Sequence, residues 1–226
     1  MPANPARELS TDPEAAVSDI DVLLWDIGQV LYESPFERFG ELEAHTGMAA
    51  GTLPRGPFSP AGDPAYDDVD SGARDEPDYW RDIEALAQQS VPGLHIYDAL
   101  RELGWEGRGR PVVVALLTDI PTRYRQAVLT NDATKFLGAG WRETWEYAPH
   151  FERIVDSLDI GVRKPDSGAF TAAVDLLAAD PARVLFVDDL TVNVEGARAA
   201  GLQAFRFDTT DPAASVSALR ELLDLA

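Results

Sequence analysis

A doubly wound α/β fold built on a parallel sheet is what the amino-acid sequence predicts, and two observations carry the prediction. Short, largely apolar runs recur along the chain: Val22-Leu23-Leu24-Trp25, Ala127-Val128-Leu129, Val184-Leu185-Phe186-Val187 and Ala204-Phe205-Arg206-Phe207, with Ile154-Val155 a weaker fifth. Runs that do not alternate with polar residues suit strands buried on both faces. Helical patterns lie between them. Phe170, Val174 and Leu177 share a face within 166–179, and Val216, Leu219 and Leu223 share one near the C-terminus. Strands alternating with helices imply right-handed crossovers onto one sheet.

Taken in order, residues 1–19 are rich in Ala, Pro and charge, lack periodicity, and read as a loose arm. The first strand follows. From about 33 to 110 the alternation breaks, and helix patterns appear around 36–46, 78–89 and 95–103. A Gly/Pro-rich stretch, GTLPRGPFSPAGDP (51–64), separates them, as a lining of the site entrance or as a connector. The segment VVVALL (112–117) has the β-branched content of a strand but stands where a helix should lead into 127–130, so a helix is expected. The expected organisation is therefore an arm (1–19), an α/β core (20–32 and 111–226) and an all-helical insertion after the first strand (33–110). No internal repeat is present.

Composition narrows the function classes. A chain of 226 residues accommodates one domain with an insertion, or two small ones. Its net charge of −20, with no Lys/Arg cluster, argues against nucleic acid and anionic membrane surfaces as partners. No apolar run reaches the roughly 18 residues of a membrane span, and the N-terminal residues lack the apolar core of a secretory signal. Cysteine is absent, which removes disulfides and thiolate metal sites. Together these point to the cytoplasm.

In an open parallel sheet, ligands bind beyond the carboxyl ends of the strands. The polar residues closing each run should converge there: Asp26, then Thr130-Asn131-Asp132, then Asp188-Asp189, with Lys164 joining from GVRKPDSGAF. Three carboxylates make a hard oxygen cage suited to Mg²⁺. A lysine offsets the charge of the cage and of a phosphoryl group, while a hydroxyl and an amide at 130–131 hold phosphate oxygens. Each residue has a plainer explanation. Asp at a strand end forms turns, Thr-Asn is a common turn, and Asp166 or Ser167 after Lys-Pro starts a helix. The Asp188-Asp189 pair is less easily dismissed, because adjacent carboxylates repel unless a cation sits between them.

These segments resemble the four motifs of the haloacid dehalogenase (HAD) superfamily, in order, across about residues 22–207: VLLWDIGQVL, AVLTND, GVRKPDSGAF and VLFVDDLTVNVEGARAAG. The resemblance implies a Rossmann-like core with a small helical cap inserted after the first strand. DSGARDEPDYW (70–80) further resembles a cap element of the branch that holds glucose-1-phosphate phosphatases and the N-terminal domains of epoxide hydrolases. It implies that Asp26 attacks phosphorus to form an aspartyl-phosphate and that Thr130, with the amide of Asn131, binds the transferring group. Lys164 would steady the nucleophile and phosphate. Asp26, the backbone carbonyl of Gly28, Asp188 and Asp189 would hold Mg²⁺, with Asn193 a supporting partner. Arg163, next to Lys164, is a candidate substrate contact.

One position departs from the family pattern. Its phosphatases carry a general acid and base two residues after the nucleophile, where this chain has Gly28. Acid–base help is worth about 10²–10⁴ in rate. Glu33 or His45 from the insertion is a candidate replacement, as is a leaving group that needs little protonation. His45, His95 and His150 lack metal-ligand spacing. Carbon–halogen cleavage, the family's other reaction, works without metal and with a different first motif. The expectation is a Mg²⁺-dependent phosphatase for a small phosphorylated metabolite. The alternative is a catalytically silent protein of the same fold that binds a phosphorylated ligand or a partner.

Overall fold

The computed structural model describes residues 19–105 and 109–225, so the expected N-terminal arm lies outside the described residues except for Asp19. In chain order the elements are β1 (Val22–Trp25), α1 (Pro35–Thr46), α2 (Pro64–Asp70), α3 (Glu76–Ser90), α4 (Ile96–Glu102), α5 (Pro111–Asp119), β2 (Arg125–Thr130), α6 (Ala133–Leu137) and α7 (Trp141–Thr144). There follow β3 (Arg153–Asp156), α8 (Ser157–Ile160), α9 (Ser167–Leu177), β4 (Val184–Asp188), α10 (Thr191–Ala199), β5 (Gln203–Arg206) and α11 (Pro212–Leu222).

The five strands form one sheet in the order β3-β2-β1-β4-β5, and every pairing is parallel. The lack of polar alternation now has its cause. On one face Leu23, Trp25, Val128, Leu185 and Val187 pack with Val113 and Leu116 of α5 and with Val216 and Leu219 of α11. On the other, Val22, Leu24, Ala127, Leu129 and Phe186 pack with Phe170, Val174 and Leu177 of α9 and with Ala197 of α10. Successive strand residues point to opposite faces, so helices on both sides favour apolar residues at consecutive positions in the buried stretch of each strand. VVVALL is indeed helical: Pro111 starts α5 near its first position, where a missing N–H costs nothing.

The helices between β1 and β2 pack around their own cluster, which includes Phe36, Phe39, Leu42, Tyr66, Tyr79, Ile83 and Leu100. Burying an aromatic or leucine side chain contributes about 1.5–3 kcal/mol. α1 begins with a reciprocal cap in which Ser34 N–H donates to Glu37 at 2.7 Å and the Ser34 hydroxyl accepts from Phe36 N–H at 3.3 Å. The two connections to the sheet are laced together by a Tyr32–Gly109 bridge and by Arg110 N–H donating to the Leu31 carbonyl at 2.8 Å. Among the described residues, no helix is long and apolar enough to cross a membrane.

Candidate active site

β1 and β4 are neighbours in matched register, Trp25 opposite Val187, so Asp26 and Asp188 leave the sheet side by side. Asp26 N–H still donates to the Val187 carbonyl at 2.9 Å. Lys164, which precedes α9, bridges them, its Nζ 2.7 Å from Asp26 Oδ1 and 2.6 Å from Asp188 Oδ2. One carboxylate oxygen each from Asp26, Asp188 and Asp189 lie within 4.8 Å of one another. All four side chains are buried.

The framework around them is tightly bonded. Asn131, just past β2, clamps the Lys164 backbone from both sides: its Nδ2 donates to the Lys164 carbonyl at 3.0 Å, and its Oδ1 accepts from the Lys164 N–H at 3.0 Å. Asp188 Oδ1 accepts from Leu190 N–H at 2.9 Å and from Asn193 Nδ2 at 3.0 Å. Gly196 of α10 permits a close approach behind Lys164, since a Cβ there would fall 2.6 Å from the Pro165 carbonyl oxygen. After Asp26 the chain turns sharply. Gln29 adopts φ 58, the left-handed region that non-glycine residues rarely enter. It is held there by Arg110 donating to its carbonyl at 2.9 Å and by Ser34 donating to its amide oxygen at 2.7 Å. The Gly28 carbonyl accepts from Val30 N–H at 2.6 Å, which leaves a second lone pair.

Burial dominates the electrostatics. It raises the Asp26 carboxyl to about 7, aided by the charge of Asp188 and opposed by Lys164. Asp189 is raised well above its ordinary value, first by burial and then by the charges of Asp188 and Asp26. Burial also opposes the charge on Lys164, but Asp188 and Asp26 outweigh it and keep the ammonium protonated. One lysine cannot neutralise three buried carboxylates, so this donor set fits a divalent cation.

A cavity of about 290 Å³ opens over this group. Asp26, Gly28, Thr130, Asn131, Lys164 and Asp189 form its floor, and Tyr32, Trp80, Tyr97, Trp105 and Leu137 line its apolar side. Arg163 reaches it as well, with Nε 3.3 Å from the Asp132 carboxylate and the side chain 39% exposed. The residues expected from the strand ends therefore come together. The two expected stand-ins for the missing acid do not line this cavity. Glu33 pairs with Arg38 at 3.7 Å, and His45 sits at the end of α1, 3.9 Å from Glu102. Glu76, which strand-end reasoning misses, does line it. The Gly/Pro-rich stretch lines a neighbouring cavity through Gly56, Pro57, Ser59, Gly62 and Asp63, and that cavity also reaches Asp189. Trp80 also forms cavity wall. The spacing of Glu76 and Trp80, i and i+4, lets an indole N–H meet a carboxylate but does not say which way the pair faces.

Comparisons with known proteins agree with this architecture. The family model of the haloacid dehalogenase-like hydrolases matches residues 20–201. A porcine bifunctional epoxide hydrolase 2 is 30% identical over 131 residues, 57% of this chain and 22% of its own length. A phosphatase of Mycobacterium tuberculosis is 40% identical over 129 residues, 56% of this chain and 59% of its own. The matches thus span less than two thirds of either relative. Among solved structures, a hydrolase from Streptococcus pneumoniae superposes with TM-score 0.58 at 20% identity, covering 92% of this chain and all of that one. With the family match extending from before β1 to the end of α10, this chain belongs to the haloacid dehalogenase-like hydrolases.

Proposed function

We propose that the protein is a Mg²⁺-dependent phosphatase acting on a small phosphomonoester through an aspartyl-phosphate on Asp26. The observation that carries this reading is the meeting of Asp26, Asp188, Asp189 and Lys164 at one end of the sheet. A divalent cation held there by the three carboxylates and the Gly28 carbonyl would supply positive charge against phosphoryl oxygens. Asp188 is already tied by Lys164, Asn193 and Leu190, whereas among the described residues Asp189 accepts one long bond, 3.4 Å, from Tyr66 Oη. Asp189 therefore offers the freer carboxylate.

The remaining roles follow from what each group has to spare. The Asn131 side chain is occupied with Lys164, so its backbone N–H, with the Thr130 hydroxyl, holds the phosphoryl oxygens. Lys164 keeps its proton and offsets charge on the nucleophile as phosphorus is attacked. Arg163 contributes a weaker, partly solvated contact. Residues 33–110 act as a helical cap over a core of 20–32 and 111–226, and their aromatic side chains form the wall that receives the leaving group. At about 290 Å³ the cavity is at the small end of ligand sites, which run from roughly 300 Å³ upward. Its aromatic wall suits a leaving group with a flat, apolar face.

A phosphate-release screen over sugar, nucleotide, acyl and aryl phosphates tests this directly. Release should require Mg²⁺, and Asp26→Asn should lower it by at least about 10⁴-fold. Full activity in Asp26→Asn would end the proposal. Glycine at 28 favours a second reading, binding without turnover. It predicts ligand and Mg²⁺ binding in calorimetry with no phosphate released even from activated aryl phosphates.

A further inference from the structure

We propose that Glu76 is the catalytic acid and base that the residue at position 28 does not provide. This rests on the phosphatase reading and extends it to the proton. Glu76 opens α3 and lines the cavity together with Asp26, Gly28 and Lys164. Its carboxylate is pinned by Trp80, whose Nε1 donates to Oε1 at 3.1 Å. The Trp80 ring in turn stacks on buried Phe36, with centroids 4.9 Å apart and planes at 22°. Glu76 is thus held on the helical side of a cavity whose lining also includes Gly28.

The charged and titratable groups that bear on it come from both sides. From the sheet side these are Asp26, Asp188 and Asp189 with Lys164 and Arg163; from the helical side, Tyr66 and Tyr97. Burial is the main influence and raises its carboxyl, with the Trp80 bond and the Lys164 and Arg163 charges opposing. A half-buried carboxyl held among carboxylates keeps a proton to higher pH than one in water, which is what a general acid needs.

The proton balance closes. As Asp26 Oδ bonds to phosphorus and the phosphorus–oxygen bond to the leaving group breaks, the departing oxygen takes the Glu76 proton and leaves as an alcohol. Water then attacks the aspartyl-phosphate. Glu76 carboxylate takes its proton, the bond from phosphorus to Asp26 breaks, and inorganic phosphate leaves with both carboxyls restored.

The test separates proton donation from packing through leaving-group dependence. Glu76→Gln should lower kcat/KM for an alkyl phosphate by about 10²–10³-fold, but for 4-nitrophenyl phosphate, whose leaving group needs no proton, by less than about 10-fold. Adding Gly28→Asp to Glu76→Gln should restore most of the alkyl rate. A Cβ at 28 lies 3.7 Å from Asp26 Oδ2, an ordinary contact, so the backbone there accepts a side chain. Trp80→Phe keeps the ring but removes the pinning donor, and should show the same selectivity at about 10-fold. It carries the test if Glu76→Gln fails to fold. Equal losses for both substrates, or none, would overturn the role of Glu76 while leaving the phosphatase reading intact. A folded, Mg²⁺-binding wild type that is inert toward every phosphate would remove the phosphatase reading and, with it, Glu76.

Discussion

The same two strands, β1 and β4, carry an ion pair at each end, and the two pairs behave in opposite ways. At the amino end Arg183 makes a two-pronged contact with Asp21, one prong at 2.7 Å, and the side chains are 39% and 49% exposed. At the carboxyl end Lys164 bridges Asp26 and Asp188 at 2.7 and 2.6 Å, with side-chain exposures of 1%, 11% and 0%. Arg183 pulls the Asp21 carboxyl below its usual range, whereas burial lifts that of Asp26 to about 7 despite Lys164. Pairing alone therefore does not leave charge free for a ligand. Desolvation does, because only there is the charge left uncompensated and available to a ligand.

Removing the lysine should break this contrast most sharply. Lys164→Met leaves Asp26 and Asp188 buried without their cation, a change that typically costs about 3–5 kcal/mol. Urea unfolding of the metal-free variant at neutral pH should register that loss and recover part of it in acid, where the carboxyls take up protons. Phosphatase activity should vanish with it. Unchanged stability would mean that the three groups do not meet in solution.

Metal and pH should sharpen the same contrast at a somewhat smaller scale. Asp26 and Asp189 have raised carboxyls. Between the ordinary carboxylate range and about 7 the native state therefore binds more protons than the unfolded chain, and stability falls as pH rises through that window. Mg²⁺ favours the deprotonated site, so its stabilisation should be larger at pH 8 than at pH 5. At 100 times Kd a ligand contributes about 2.7 kcal/mol, or roughly 5–10 °C in Tm for a chain of this size. Thermal melts with and without Mg²⁺ at the two pH values measure it. An equal shift at both would place the ion elsewhere.

A third break tests the packing that keeps the buried end in place. Gly196→Ala forces a methyl against the Pro165 carbonyl, next to Lys164. Overpacking of this kind costs about 1–3 kcal/mol, and any shift of Lys164 should lower kcat more than it raises KM. Loss of stability with kcat unchanged would show that the Lys164 segment adapts without moving the ammonium.

How much of this was legible before the structure follows from the same physics. Strands covered on both faces announce themselves as unbroken apolar runs, and their polar terminators, Asp26, Thr130 and Asp188, mark the rim of the sheet. α5 was recognisable by its place, against its β-branched content. α2 was not. It has two buried anchors, Tyr66 and Val69, in a short helix beside a Gly/Pro-rich stretch. The placement of Glu76 was also out of reach, because it depends on Trp80 lying against Phe36 across two helices. Nor could the Asn131 clamp on Lys164 be read, since it joins a side chain to backbone 33 positions away. Strand ends encode where charge gathers. Which helical residue faces that charge is decided by tertiary packing.

The smallest expected effect lies at the solvated end. Arg183→Gln removes the partner of Asp21, but water and salt already screen a pair this exposed, within about 8 Å at physiological ionic strength. The lowered Asp21 carboxyl contributes stability that is present at neutral pH and lost as pH falls through the acid range. The variant should therefore differ slightly from wild type in low salt at neutral pH, and not at all in high salt or strong acid. Activity should be untouched, because Asp21 precedes β1 and Arg183 precedes β4, at the end of the sheet away from Asp26. Melts across salt and pH, run beside Lys164→Met, put the two ends on one scale. A large, salt-independent loss in Arg183→Gln would mean that exposure does not separate the two pairs, and the distinction between a structural ion pair and a reaction centre would need another cause.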